Sequence, residues 1–486
     1  METFFLSYIK EISLDVSSIF LLVGTLVAIY MTRWIFRWRN PKCNGTLPPG
    51  SMGLPLIGET IQLVIPNASL DLLPFIKKRI KRYGPIFRTN IAGRPVIVSA
   101  DPEFNHFLLR HDEKLVESWS MDTFAEVFDQ VNHPRKYARN LALHHFGVES
   151  LKSKLLSQME DMVRETLSIW STHESVEVKS QSVMMAVSFA TRQIFSGDLD
   201  RTQVNFAELF RDLLGGLMSF PVNIPGTSHH KCLQIQKKVK ILIRELVRKR
   251  VAEPDSDTQH HGDLLDHIIE DSKSTESFLN EDFIVQLMFG LLFVSSESVS
   301  TTLALAFKLI SEHPLVLEEL TAEHDNILKN RENSNSTLAW NEYKSMTFTF
   351  QVINEVLRLG NIAPGIFRRA LKDIPINGYT IPSGWVIVIA SSALHLNADQ
   401  FEDPLQFNPW RWKEIQPSMV AKCYMPFGSG MKQCAGAEYS RVLLAIFLHV
   451  LVTKYRWVKV KGGKIVRSPI VRFPEGFHYK ISERNN

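Results

Sequence analysis

The sequence predicts a mostly α-helical protein with small β-sheets, an α+β fold, preceded by one membrane-spanning helix. Three observations carry this. Between residue 70 and about residue 360, apolar residues recur at helical spacing between capping and stop signals. Strand-like stretches are few, at 85–99, 374–380 and 385–390. An almost unbroken apolar run, VSSIFLLVGTLVAIYM, occupies residues 16–31.

That run is the first element. A helix needs about 20 apolar residues to cross a bilayer core, so it is near the lower limit unless Trp34, Ile35 and Phe36 extend it. The rival reading is a cleaved signal peptide. Its basic residues would precede the apolar run, and small residues would mark a cleavage site; here Arg33, Arg37, Arg39 and Lys42 follow the run, and no such site ends it. The basic flank places everything after residue 40 on the cytoplasmic side. The sequons at Asn44, Asn67 and Asn335 are therefore expected to stay unmodified. Residues 1–40 are read as the anchor and 41–60 as a proline- and glycine-rich hinge (Leu47-Pro48-Pro49-Gly50, then Gly53-Leu54-Pro55-Leu56-Ile57-Gly58). Residues 61–486 form the globular domain.

Hydrophobic residues make up 45% of the 486 and charged residues 22%, so the bulk is globular. A net charge of +4 gives no support to nucleic-acid binding, which would need a concentrated basic stripe. The cysteines at 43, 232, 423 and 434 have no regular spacing and read as reduced thiols, not a disulfide framework. Neither CxxC nor HExxH occurs, which removes the obvious zinc ligands. The polar segment 253–262, with His260 and His261, reads as a solvated loop.

One helix stands out. Asn280 can cap it, Glu281 and Asp282 suit its first turn, and Pro314 stops it. Its first half, FIVQLMFGLLFV, is apolar on all sides and predicts burial. Then comes Ser295-Ser296-Glu297-Ser298-Val299-Ser300-Thr301-Thr302. Hydroxyls bonding back to the preceding turn explain some of these serines, but a carboxylate at mid-helix needs a partner or a function.

The strongest local signal is Pro426-Phe427-Gly428-Ser429-Gly430-Met431-Lys432-Gln433-Cys434-Ala435-Gly436, followed by a helical pattern through Leu448. Glycines let a backbone wrap closely around a thiol, and the positive end of the following helix favours the thiolate. Without that loop, Cys434 would read as a small core residue.

This loop resembles the haem-binding signature of the cytochrome P-450 superfamily. Phe427, Gly430, Cys434 and Gly436 match it, while Lys432 stands where the family usually has Arg. The change keeps a charge toward a haem propionate and loses the bidentate fork. Glu355-Val356-Leu357-Arg358 resembles the family's Glu-x-x-Arg pair. Phe407-Asn408-Pro409-Trp410-Arg411-Trp412 resembles the later motif whose arginine, here Arg411, joins that pair in a buried triad. Arg139 matches a propionate contact, Arg135 departs from the usual aromatic or histidine, and Arg368 resembles another propionate contact. The resemblance implies a cytochrome P-450 fold, with haem b buried between the long central helix and the cysteine loop and Cys434 on its iron. It further implies a haem-thiolate monooxygenase whose electrons come from NADPH through a separate NADPH-cytochrome reductase, in a protein expected to be a monomer in the endoplasmic reticulum membrane.

Val294-Ser295-Ser296-Glu297-Ser298-Val299 is similar to the family's oxygen-activation motif. Glu297 is then the acid of a proton relay, Ser298 replaces the usual threonine, and Val294 is bulkier than the usual alanine or glycine and narrows the substrate pocket. Residues 219–227, Pro364-Gly365-Ile366-Phe367-Arg368-Arg369-Ala370 and the cysteine loop resemble the plant brassinosteroid-hydroxylase and triterpenoid-oxidase clan. The implied substrate is a large apolar polycycle, a steroid or triterpenoid, taken from membrane lipid. The alternatives are multi-step sterol side-chain cleavage, a haem-thiolate isomerase or dehydratase that needs no reductase, and a haem-containing binder without turnover. Arg135, Lys136 and Lys422 are candidates for a basic patch that meets the reductase.

Overall fold

The computed structural model describes residues 2–128, 135–197, 204–252, 262–273, 278–331, 336–363 and 365–484. Helix α1 (Glu2–Arg39) begins the chain, and its Ser18–Arg39 portion is long and apolar enough to cross a membrane, with none of it buried against the rest of the protein. The irregular segment after it lies along a five-stranded sheet and touches a separate two-stranded hairpin at Thr380. Arg88 N–H donates to Pro49 O (2.8 Å), Thr380 N–H to Thr46 O (2.7 Å) and Glu59 N–H to Asn90 O (2.7 Å).

The five-stranded sheet runs in the order β1 (Ile86–Ile91), β2 (Arg94–Ser99), β8 (Val386–Ile389), β5 (Ile366–Ala370) and β3 (Val116–Ser118). The stretch 85–99 folds as a hairpin of β1 (Ile86–Ile91) and β2 (Arg94–Ser99), broken at Ala92-Gly93, both of which take positive φ. Helix α2 (Pro102–Arg110) leads to β3 (Val116–Ser118), which pairs with β5 (Ile366–Ala370). The stretch 374–380 is likewise a tight hairpin, β6 (Ile374–Ile376) with β7 (Tyr379–Ile381), turned at Asn377-Gly378. β8 (Val386–Ile389) runs parallel to β2, with Val96 opposite Val386.

Helices form the larger part. They include α3 (Asp122–Phe128), α4 (Arg135–Phe146), α5 (Leu156–Ser171), α6 (Val178–Phe195), α7 (Phe206–Leu217) and α8 (Ser228–Ala252). The central helix, α9 (Glu281–Ser311), is 31 residues long. Asn280 caps it as expected, its side chain accepting from Phe283 N–H at 2.9 Å. Glu281 pairs with Arg244 of α8 at 2.9 Å, fixing the helix start. Pro314 opens the next helix, α10 (Pro314–Lys329), at a position where no amide donor is needed.

Two apolar clusters meet on α9. Its first half packs with α6, α7 and α8 through residues such as Met288, Phe289 and Leu292; its second half packs with α5 and the later helices through Leu303, Phe307 and Ile310. Helix α11 (Thr347–Gly360) and α12 (Ala437–Lys454) complete that second cluster. Strands the sequence pattern did not mark close the domain: β4 (Val176–Glu177), β9 (Tyr455–Gly462) and β12 (Phe477–Glu483) form a three-stranded sheet, and β10 (Val466–Arg467) pairs with β11 (Val471–Arg472). Of the loop expected at 253–262, residues 253–261 lie outside the described residues.

Candidate active site

The cysteine loop is closed by its own backbone. Gly428 N–H donates to Met425 O (3.0 Å), Gln433 N–H to Gly430 O (3.1 Å) and Cys434 N–H back to Phe427 O (2.9 Å). Gly430 sits at φ +72, and a Cβ there would stand 2.8 Å from Leu109 O of α2, so only glycine lets the loop dock. Gly436 then caps α12, and Arg441, one turn into that helix, lies over the Phe427 ring at 5.0 Å.

Burial pushes the Cys434 thiol up; the Gly436 amide and the Arg139 guanidinium pull it down. Yet the residue is exposed by area. The other three cysteines are also free, and Cys232 is buried, with its thiol pushed up to about 12.

On α9 the same signature recurs. Val294 is 59% exposed and Ser298, one turn later, is also exposed, although their neighbours Phe293, Ser296 and Val299 are buried. An apolar and a hydroxyl side chain thus look into open space from the middle of a packed helix.

Ser298 Oγ donates to Val294 O at 3.3 Å. Glu297 points elsewhere, toward α6, where Lys179 Nζ donates to Glu297 Oε1 (2.8 Å) and Ser300 Oγ (2.9 Å). The two expected relay groups are therefore not bonded to each other. Nothing in the sequence marked Lys179, because its partner lies 118 residues away.

The cations divide. Arg139 Nη1 donates to Gln433 O, beside Cys434. Arg368 is buried, its Nη2 2.9 Å from Asp112 Oδ2, while Arg368 Nε and Asp112 Oδ1 have no protein partner. Lys432 Nζ lies 2.6 Å from Glu113 Oε1. Asp112 and Glu113 were missed in the sequence, where acids three and four positions before a short strand carry no signal. Lys422 is paired at the surface with Glu103 (2.6 Å), Lys136 lies near Glu113, and the Arg135 side chain lies outside the described residues.

Behind the loop, Glu355, Arg358 and Arg411 are brought together. Arg358 donates through Nε (2.9 Å) and Nη2 (2.8 Å) to the Glu355 carboxylate, and Arg411 through Nε (3.1 Å). Trp412 Nε1 adds a fourth side-chain donor at 3.0 Å. Arg358 Nη1 also donates to His395 O (2.8 Å), and His395 Nε2 accepts from Met425 N–H (3.0 Å), at the root of the cysteine loop.

His395 is 1% exposed, and burial, with the charges of Arg358 and Arg467, pushes it down to about 3. Its folded value lies below the unfolded one, so the stability it contributes is complete above pH 6.5 and is lost as pH falls from 6.5 toward 3. The loss approaches about 1.4 kcal/mol per pH unit. Urea midpoints measured from pH 7 to pH 5 should fall, and His395→Gln, which keeps an acceptor for Met425, should flatten that fall by about one proton. An unchanged slope would show that the imidazole takes up its proton without unfolding.

These residues suit a haem. The set offers one soft thiolate ligand beside a helix N-terminus, arginines near it, an unpartnered buried donor on Arg368, and an open face on α9 at Val294 and Ser298.

The comparisons agree with that chemistry. The family model for cytochrome P-450 matches residues 48–477. A β-amyrin 16α-hydroxylase of Maesa lanceolata is 48% identical over 473 residues, covering 96% of this chain and 99% of its own. A cucurbitadienol 11-hydroxylase of Siraitia grosvenorii is 46% identical, covering 95% and 98%. A retinoic-acid-bound cyanobacterial CYP120A1 superposes with a TM-score of 0.79 over 91% of this chain and all of its own, at 23% identity, a likeness of fold. The chain belongs to the cytochrome P-450 family. It is a haem-thiolate monooxygenase.

Proposed function

We propose that this enzyme hydroxylates a triterpenoid or steroid, with Cys434 as the thiolate that would hold the haem iron and Val294 and Ser298 bordering the substrate. The observation that carries the reading is the exposed Val294–Ser298 step on an otherwise buried helix, taken with relatives named for hydroxylating β-amyrin and cucurbitadienol. The haem supplies the binding and activation of dioxygen, with thiolate ligation favouring O–O cleavage. Arg139, Arg368 and Lys432 are the candidates for its propionates, and Phe427, Gly430 and Gly436 shape the loop that presents the thiolate. Lys432 and Arg368 would share their charge with Glu113 and Asp112.

The catalytic domain faces the cytosol from an endoplasmic reticulum membrane, held by the single helix at 18–39. The exposed Phe220, Val222 and Ile224 support a second contact with lipid through residues 219–227. Electrons come from NADPH through a cytochrome reductase. Lys422 joins its docking face by releasing Glu103, since so exposed an ion pair is weak and readily exchanged.

Co-expression with a plant NADPH-cytochrome reductase in yeast supplied with β-amyrin, cucurbitadienol or cholesterol tests this. A product one oxygen heavier, labelled from 18O2, is expected from at least one. Haem-replete microsomes that yield no oxygenated product from any of the three would overturn the substrate class.

Ser298 Oγ is the hydroxyl placed to hold and pass a proton, with Glu297 supplying it after rotating away from Lys179. Ser298→Ala is expected to keep haem content and substrate binding while product per NADPH falls about tenfold or more and peroxide rises. Ser298→Thr should couple at least as well as the unaltered enzyme. Equal product yield in the alanine variant would leave Ser298 as a residue bonded only to its own helix.

A further inference from the structure

Helix α3 is only seven residues long, and among its side chains Thr123 and Val127 alone are fully buried. So short a helix does not hold its place by itself. Three hydrogen bonds fasten it to the two helices above it. Thr123 Oγ1 donates to Leu217 O, at the end of α7, at 2.7 Å. His229 Nε2, near the start of α8, lies 2.9 Å from Glu126 Oε2. Gln236, two turns along the same face of α8, donates through Nε2 to Val127 O.

His229 is the unusual member. The residue is wholly buried, whereas the Glu126 side chain is 49% exposed. Its other ring nitrogen, Nδ1, has no partner, so its one polar engagement is with Glu126. A histidine filling apolar space would bond to whatever backbone was nearest. This one reaches across to another element, and a carboxylate accepts only, so Nε2–H is the donor.

On its other side α3 reaches the candidate pocket. The Phe128 ring lies 5.5 Å from Phe289, nearly parallel to it, and 5.3 Å from Phe293, both on α9. Phe293 immediately precedes Val294. Phe210 of α7 packs edge-on against Phe293 at 5.6 Å. α3 is thus a wedge: α8 grips one side, and the other carries an aromatic ring against the part of α9 that precedes the exposed step.

We propose that His229 is a positioning residue that latches α3 to α8, so that release of the His229–Glu126 contact governs how fast a bulky ligand reaches the space beside Val294. The inference rests on that space being the ligand site. It acts on access and on the placement of Phe128, and it leaves the chemistry at Cys434 untouched. A small ligand that passes the closed latch should not feel it.

The test uses haem-loaded, full-length enzyme and two nitrogenous probes that bind haem iron with a spectral shift, imidazole and ketoconazole. In His229→Phe the association rate of ketoconazole should rise about tenfold, the equivalent of one charge-assisted hydrogen bond, with imidazole changed by less than about twofold. Glu126→Ala removes the same contact from its exposed end, where folding is not at risk, and should give the same split. His229→Gln, which keeps a donor, should return ketoconazole to within about twofold of the unaltered enzyme. Amide hydrogen exchange in residues 123–128 should quicken in His229→Phe and Glu126→Ala and not in His229→Gln. Unchanged ketoconazole rates in Glu126→Ala, or equal acceleration of both probes, would overturn the latch. No imidazole shift in the unaltered enzyme would instead overturn the haem-site assignment on which the latch depends.

Discussion

Glu355→Ala is expected to yield almost no soluble, haem-loaded protein. The carboxylate is wholly buried and accepts five hydrogen bonds: two from Arg358, one from Arg411, one from Trp412 Nε1 and one from Asn408 N–H at 3.1 Å. Arg358 is also wholly buried. Removing the anion strands two guanidinium groups in the interior, and breaking a buried pair costs about 3–5 kcal/mol. A domain's whole margin is about 5–15 kcal/mol, so a large share of it goes with one side chain. Arg411→Lys should be milder, because the Arg358 fork remains in place. Expression yield and the urea midpoint of any folded fraction measure both variants. A Glu355→Ala protein with an unaltered midpoint would show that Trp412 and the backbone carbonyls suffice.

Cys434→Ala is expected to lose the long-wavelength absorption of the reduced, carbon-monoxide-bound enzyme, and all oxygenation with it. Cys423→Ala is the matched control. Cys423 is buried, its sulfur faces Gln400 Oε1 at 3.8 Å, and burial pushes its thiol up, which suits an inert core residue. Burial pushes the Cys434 thiol up as well, but Cys434 is exposed, and the Gly436 amide and Arg139 guanidinium act against that rise. Soluble protein and the absorption spectrum should be measured together, so that loss of ligation is separated from loss of fold. A thiolate spectrum surviving in Cys434→Ala and vanishing in Cys423→Ala would reverse the assignment.

The long helix, its Asn280 cap and the docked cysteine loop were legible in the sequence because each is specified locally. A cap, a run of apolar residues and a glycine-rich turn act over a few positions. The ion cluster at Glu355 was legible for another reason: its members lie in two compact motifs, although Trp412, inside one of them, received no role. What escaped was pairing between distant segments. Lys179 holds Glu297, Asp112 holds Arg368 and Glu113 holds Lys432, over separations of 118, 256 and 319 residues. No periodicity encodes such partners. Strands β10 and β11 escaped because two residues each are too few to show any alternation, whereas β12, FHYKISE, does alternate and was a signal left unread.

The tether from Arg358 through His395 to Met425 has a consequence for biogenesis. Tyr424, next to Met425, also bonds the backbone of Asn354 on α11 at 3.0 Å. The root of the ligand loop is thus riveted by protein atoms alone to the helix that carries the buried ion cluster. Once those bonds are made, the loop would offer its thiol at a fixed address. Late addition of the prosthetic group to a preformed socket, rather than nucleation of the fold around it, is the assembly order this architecture favours. Cells short of haem should accordingly accumulate a compact, protease-resistant apoprotein that can be rescued by adding haem, not an aggregate.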